Sequence, residues 1–196
     1  MSRDENAIEP GYYTETLDPG LAERLVLRFP EGELIVLPSD DDTIKLELEL
    51  RGSPSQLPGW KPSIRRSEGI LVVADEPYDQ VVATVARLRV PAVFRDIEAH
   101  ASSGSIEIRG LSVDLLAITE TGDIRVFGGV SVEASSSSGG VEVENAYKVS
   151  AKLVSGTLRC REISDSIHAE TQSGDVSVEP SGGNVVVLSS SGDIAV

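Results

Sequence analysis

Asp96-Ile97-Glu98-Ala99-His100-Ala101-Ser102-Ser103-Gly104-Ser105-Ile106-Glu107-Ile108 is the first copy of a unit that returns through to Val196. A two-residue turn recurs at Ser103-Gly104, Thr121-Gly122, Ser138-Gly139, Ser155-Gly156, Ser173-Gly174 and Ser191-Gly192. The glycines are spaced 18, 17, 17, 18 and 18 residues apart. Self-similarity at so constant a period is the signature of a stacked array.

The register of each unit is readable from its glycine. Seven residues before it stand Ile97, Leu115, Val132, Val149, Ile167 and Val185. Five before it stand Ala99, Ala117, Ala134, Ala151, Ala169 and Val187. Two and four after it stand pairs such as Ile106 with Ile108, Ile124 with Val126, Val141 with Val143 and Leu158 with Cys160. Period-two alternation on both sides of a turn means two strands per unit, each with one buried face. β-Branched residues suit that role, and glycine supplies the backbone freedom of the turn.

An antiparallel meander of hairpins and a β-solenoid both fit this pattern. Two observations favour the solenoid. Stacking enforces a constant period, which a meander does not. The position three after each glycine reads Glu107, Arg125, Glu142, Arg159 and Ser177. In a parallel stack, with strands about 4.8 Å apart, opposite charges then alternate up the column. Lys152 and Glu170, each four before a glycine, also become neighbours. The alanine column marks the thinnest part of the coil, where little beyond a methyl group fits.

The expected fold is an all-β, single-domain β-solenoid. It has coils of about 17–18 residues, two strands per coil, and an irregular β segment at its N-terminal side. Residues 1–20 read as an extended or poorly ordered lead-in, with Tyr12 and Tyr13 tucked onto the body. Residues 21–95 form the irregular part, continuous with the array at 96–196. Gly32 is flanked by Leu25, Leu27, Phe29, Leu34 and Val36, a first coil with larger side chains. Ser39-Asp40-Asp41-Asp42 is a solvated turn, and Ile44, Leu46, Leu48 and Leu50 mark a half-buried strand. Residues 51–62 form a loop around Trp60, either a ligand platform or an anchor packing the loop onto the body. Glu68-Gly69 turns a hairpin or another coil, and the alternation through Val90 reads as strand. Arg87, Arg89 and Arg95 are the one basic locality, expected to pair with nearby carboxylates.

Composition narrows function. The 196 residues carry a net charge of −15. That argues against nucleic acid and anionic membrane surfaces, which call for basic patches. Aromatic residues are 4% of the chain, which suits a narrow β-coil better than a wide globular interior. Cys160 is the sole cysteine and stands at an inward position, a small buried hydrophobe. No run of 18 apolar residues marks a membrane span. Met1-Ser2-Arg3-Asp4-Glu5-Asn6 lacks the apolar core of a signal peptide, so the expected location is cytoplasmic.

No catalytic, cofactor or metal constellation emerges. Asp123, Asp175 and Asp193 each follow a turn glycine, where aspartate accepts backbone hydrogen bonds. Sharing of a Ca²⁺ by Asp175 and Asp193 is the alternative, though the calcium-binding nonapeptide is absent. His100 and His168 fall in distant coils. Polysaccharide-cleaving solenoids cluster carboxylates on one face, whereas the outward columns here mix Ser, Glu, Arg and Ala. The candidate interaction surface is therefore Leu116, Ile118, Val186, Leu188 and Trp60, the first four being apolar at outward positions. Val196 is the last inward position of its strand, so Ile194 and Val196 mark a candidate assembly end. That end calls for further chain, another subunit or a returning N-terminal segment.

The core motifs Thr121-Gly122-Asp123-Ile124-Arg125-Val126 and Ser173-Gly174-Asp175-Val176-Ser177-Val178 resemble a bacterial β-strand-repeat family of unknown function labelled "putative adhesin". The Gly-Glu-Leu-Ile-Val strand at 32–36 and the Val90-Pro91 entry to the repeats agree with its layout, and the resemblance covers about 21–196. It implies a β-solenoid without known catalysis. A looser likeness is to bactofilins, cytoplasmic β-helix scaffolds that polymerise end to end. The expected function is a non-enzymatic protein-interaction or adhesin-like module. A self-assembling scaffold is the alternative, with a carbohydrate-active enzyme behind both. The expected partners are another protein or a second copy of the chain.

Overall fold

A computed structural model describes residues 9–53, 55–76, 81–180 and 182–196. The N-terminal part holds β1 (Glu9–Leu17), β2 (Arg24–Arg28), β3 (Glu31–Pro38), β4 (Ile44–Gly52), β5 (Ser63–Ser67), β6 (Ile70–Ala74) and β7 (Val82–Val90). The repeat opens with one long strand, β8 (Asp96–Arg109). Strand pairs follow, first β9 (Asp114–Thr121) with β10 (Ile124–Phe127), then β11 (Ser131–Ser138) with β12 (Val141–Glu144). The remaining pairs are β13 (Lys148–Ser155) with β14 (Leu158–Ile163), β15 (Ser166–Ser173) with β16 (Val176–Pro180), and β17 (Asn184–Ser189) with β18 (Ile194–Ala195). One 3₁₀ turn spans Leu57–Gly59.

The strands before each Ser-Gly turn stack in parallel as one sheet, here sheet I, and those after it stack as sheet II. Ala99 pairs with Ala117, Ala117 with Ala134, Ala134 with Ala151, and Ala151 with Ala169. In sheet II, Ile106 pairs with Ile124, then Val141, Leu158, Val176 and Ile194. Each step is one sequence repeat, so the array is a β-solenoid and not a meander. Strand β8 crosses from one sheet to the other around Gly104.

The turn glycines have a second role besides backbone freedom. A Cβ placed on Gly122, Gly139, Gly156 or Gly174 would collide with the carbonyl oxygen of the glycine one coil earlier, far inside the 3.0 Å that real Cβ atoms keep. The coils therefore touch backbone to backbone along this edge. Hydroxyls reinforce it: Thr119 Oγ1 donates to the Gly104 carbonyl (3.1 Å) and Ser136 Oγ to that of Gly122 (3.3 Å). The alanine column from Ala99 to Ala169 is buried throughout, as is Cys160.

The N-terminal part departs from chain order. Strand β2 lies between β6 and β8, and β3 between β7 and β8. The coil of β6 and β7 thus stacks outside the coil of β2 and β3, which precedes it in sequence. The Gly32 coil is first in the chain but second in the stack. Beyond it, β5 runs antiparallel to β6, β4 antiparallel to β7, and β1 antiparallel to β4. Ile44, Leu46, Leu48 and Leu50 of β4 are buried, as their alternation requires.

Within the lead-in at 1–20, Glu9–Leu17 is extended, a strand of 9 residues. The expectation for residues 1–8 lies outside the described residues. Among the described residues the N-terminal segment does not return to the Val196 end, because β1 pairs with β4 at the opposite end of the stack. No described helix is long and apolar enough to cross a membrane.

Candidate functional site

The outward face of sheet I collects most of the side chains that the sequence singles out. Glu98 and His100 on β8 are followed by Leu116 and Ile118 on β9, then Glu133 and Ser135 on β11. Ser150 and Lys152 on β13 come next, then His168 and Glu170 on β15, and Val186 and Leu188 on β17. Each pair occupies the same two positions of its coil, because stacking at one-repeat offsets preserves side-chain direction.

Between the two apolar pairs lies a shallow depression of about 340 Å³ lined by Glu133, Ser135, Ser150, Lys152, His168 and Glu170. Lys152 Nζ is 3.5 Å from Glu170 Oε2, the stacked pair expected from sequence. His168 Nε2 lies 3.0 Å from Glu170 Oε1. The His168 hydrogen bond, with the Lys152 charge behind it, holds the Glu170 carboxyl below its ordinary range. Leu116 and Ile118 are half-buried, whereas Val186 and Leu188 are 46% and 54% exposed. The two apolar pairs stand four strand spacings apart, about 19 Å, and do not merge into one patch.

Trp60 is not on this face. It is 5% exposed and meets the Tyr13 ring edge-on at 6.0 Å between centroids. It therefore anchors the 51–62 loop against β1 and leaves the candidate surface, as burial of an aromatic ring on the body dictates. Burial and the neighbouring Glu15 carboxylate, which accepts its hydroxyl proton, push the Tyr13 phenol up to about 12. At the candidate assembly end, Ile194 on β18 is 48% and Val196 just after it 72% accessible, whereas Val176 and Val178 one coil earlier are buried.

Two of the turn aspartates, Asp123 and Asp175, accept backbone hydrogen bonds. Asp123 Oδ1 accepts from the Gly140 N–H of the next coil at 2.8 Å, and Asp175 Oδ1 from the Asp193 N–H at 3.1 Å. The outward charge column runs as read, with Arg125 registered between Glu107 and Glu142, and Glu142 beside Arg159. Arg125 nevertheless bonds within its own coil, to Asp123 at 3.2 Å. Asp41 accepts from Lys45 and Thr43, contacts that hold its carboxyl well below the usual range and mark a solvated turn. In the basic locality, Arg87 pairs with Glu49 at 3.0 Å and Arg95 with Glu23 at 3.5 Å. His100 and His168 sit on β8 and β15 and do not meet. Burial pushes the Cys160 thiol up to about 12, so it is an unreactive core atom.

One exposed feature escaped the repeat reading. Val130 and Tyr147 stand nine residues before their turn glycines and are exposed on the ridge where successive coils join. The signal was present at that position, where Val113 is apolar too, but Arg95, Asp165 and Gly183 are polar or small and interrupt the column.

A solved protein from Bacteroides fragilis, described as a putative adhesin, superposes with a TM-score of 0.59 at 12% identity, over 94% of this chain and 96% of that one. A "putative lipid binding protein" from Parabacteroides distasonis gives a TM-score of 0.40 at 12% identity over the same shares of the two chains. A putative cell adhesion protein from Clostridium sporogenes gives 0.37 at 14% identity, over 92% of this chain and 100% of that one. No curated protein is significantly similar to the chain in sequence. The family model described as Toastrack DUF4097 matches residues 31–196, from the Gly32 coil through every Ser-Gly repeat to Val196. The chain belongs to the Toastrack DUF4097 family.

Proposed function

We propose that the chain is a non-enzymatic β-solenoid module that binds a protein partner through the outward face of sheet I. The observation that carries this reading is the composition of that face. Two apolar pairs, Leu116 with Ile118 and Val186 with Leu188, flank a polar depression on a rigid parallel sheet. Apolar side chains held in register at an exposed face are characteristic of contact surfaces. The Bacteroides fragilis protein of the same fold carries an adhesin description, which is in keeping with a binding role.

The test is capture by immobilised protein from bacterial extracts, compared between the native chain and Leu116→Lys. A species held by the native chain and released by the variant supports the reading. Identical capture by both removes this face from the function, and turnover of a polysaccharide by pure protein refutes the non-enzymatic assignment.

A second reading is a scaffold that stacks end to end, as the likeness to bactofilins implies. Ile194 and Val196 are the residues that such stacking would bury. A charge introduced at Ile194 should then block assembly.

A further inference from the structure

The fold divides the basic locality of Arg87, Arg89 and Arg95. Arg87 and Arg95 hold carboxylates at 3.0 and 3.5 Å, but Arg89 is exposed and makes no ion pair among the described residues. It stands on the outward face of sheet II, which β3, β7 and β4 extend beyond β8. Leu37 on β3 lies beside Arg89, and Lys45 on β4 lies opposite it. On the far side of Leu37, one step past the Val36–Ile108 pair, comes Arg109 on β8, and then Phe127 on β10. The row Lys45, Arg89, Leu37, Arg109 and Phe127 thus crosses five adjacent strands without a carboxylate, in a chain of net charge −15.

This row is poised to receive negative charge. Lys45 and Arg89 are like charges directly opposed across antiparallel strands, which is unfavourable for the sheet by itself. Asp41 relieves Lys45 at 2.6 Å, and nothing equivalent relieves Arg89 among the described residues. Arg109 is already held in position. Its Nε donates to Glu107 Oε1 at 2.6 Å, and its guanidinium lies 4.7 Å from the Phe127 ring centroid. A guanidinium has five N–H donors, so the terminal nitrogens remain for a second carboxylate, in fork geometry. Leu37 and Phe127 are half-buried and leave apolar surface beside both arginines. Arginine next to aliphatic and aromatic anchors is the composition of interface hot spots.

We propose that this row docks an acidic peptide segment of a protein partner, one that carries carboxylates on both sides of an apolar side chain. The carboxylates take Arg89 and Arg109, rooted two strand spacings or about 10 Å apart, and the apolar side chain rests on Leu37 between them. Charge complementarity selects the occupant. The row is only about 19 Å long. A polyanion such as nucleic acid or a sulfated glycan would run off it onto an acidic body that repels it. A short segment stays within the attraction, and apolar contact with Leu37 and Phe127 serves a peptide and not a sulfated chain. The surface is on sheet II, so it goes beyond the interaction reading on sheet I and does not depend on it.

The experiment selects peptides from a random linear library on phage with the full chain as bait. The best peptide is then synthesised with a fluorophore and titrated by anisotropy. The expected peptides are enriched in Asp or Glu flanking Leu, Ile or Phe. Affinity should fall at least about tenfold in Arg89→Glu, and fall also in Leu37→Ser, with unchanged circular dichroism spectra. Arg159 is exposed on β14 of the same face and outside the row, so Arg159→Glu makes the same change in net charge elsewhere. That variant should change affinity less than about twofold. A library that yields no acidic peptide, or equal losses in Arg89→Glu and Arg159→Glu, overturns the proposal. So does retention on heparin that depends on Arg89 while no peptide is selected. Leu116→Lys should bind the peptide as the native chain does. Loss of the peptide there, with binding intact in Arg89→Glu, places the contact on sheet I and overturns this proposal alone, so the two readings fail separately.

Discussion

The regular array at 96–196 and the N-terminal part at 9–90 share one hydrophobic core and solve its packing in opposite ways. In the array, alanine returns at one buried position of each coil from Ala99 to Ala169, as a narrow coil would require. In the N-terminal part the same inner positions hold large side chains. At the alanine position Leu27 pairs with Ala99 on one side and Val73 on the other, and Phe29, two residues on, is fully buried. Period and width are coupled: a coil repeated at constant length keeps constant width, and its sequence becomes regular. Where strands turn antiparallel and a coil is stacked out of order, width varies and the repeat fades.

The sharpest way to break this comparison is the glycine edge. Gly139→Ala should destabilise by at least about 3 kcal/mol or prevent folding, because its Cβ would meet the Gly122 carbonyl and neither backbone can yield without moving a coil. Gly20→Ala, at a positive φ of 62° with nothing within 4 Å, should cost about 1 kcal/mol. Denaturant midpoints of the two variants decide. Equal effects would mean that the turn glycines serve conformation alone.

The next contrast exchanges the two solutions at the same position of the coil. Leu27→Ala should leave a cavity in the wide part and cost about 2–5 kcal/mol. Ala151→Leu should overpack the narrow part and cost about 1–3 kcal/mol. Both residues are buried, so a tolerated Ala151→Leu in urea unfolding would show that the array has slack that the alanine column does not suggest.

The array was legible because stacking imposes one constraint many times. Ile106 through Ile194, Ala99 through Ala169, and the Lys152–Glu170 pair could be placed in register by counting from glycine alone. The glycines themselves were read only in part. Turn freedom follows from residue type, but the approach of each glycine to the carbonyl below is a property of neighbouring coils. Some N-terminal strands follow from alternation, as with Ile44 to Leu50, whereas Glu68-Gly69 fits a hairpin or another coil equally and β1 lies in the polar lead-in. Their order does not follow, since nothing in β6 and β7 states that they pass outside β2 and β3. For the same reason Trp60 could be assigned either to a surface or to a packing role until Tyr13 was placed beside it. The apolar pairs on sheet I are visible as outward positions, while the half-burial of Leu116 and Ile118 reflects side-chain cover from β8 and β11 on either side, which the period alone does not state.

Asp75 belongs to the irregular part and has no counterpart in the array. It is buried, with Oδ2 accepting the Ala83 N–H at 2.9 Å. Burial raises its carboxyl pKa, and the charge of Glu31 adds to that. A carboxyl whose folded pKa lies above the unfolded value of about 3.9 keeps its proton longer in the folded chain, so its contribution is lost as pH rises through that interval. Asp75→Asn retains an acceptor for Ala83 and removes the buried charge. It should raise the denaturant midpoint at pH 7 and have little effect at pH 3.

His100 marks the seam between the two parts and gives the smallest effect. It sits on β8 opposite Arg28 of β2, and burial, followed by the Arg28 charge, lowers its pKa. Glu98 lies 3.4 Å from its Nε2 and opposes that shift, but the same carboxylate is paired with Arg24 and has little charge to spare. A histidine that resists protonation in the folded state binds fewer protons there than in the unfolded chain. Stability is then lost as pH falls through the unfolded value of about 6.5. His100→Gln should therefore flatten the fall in denaturant midpoint between pH 7.5 and 5.5. A slope unchanged in His100→Gln would show that the seam imposes no electrostatic condition of its own and that the two parts differ in packing alone.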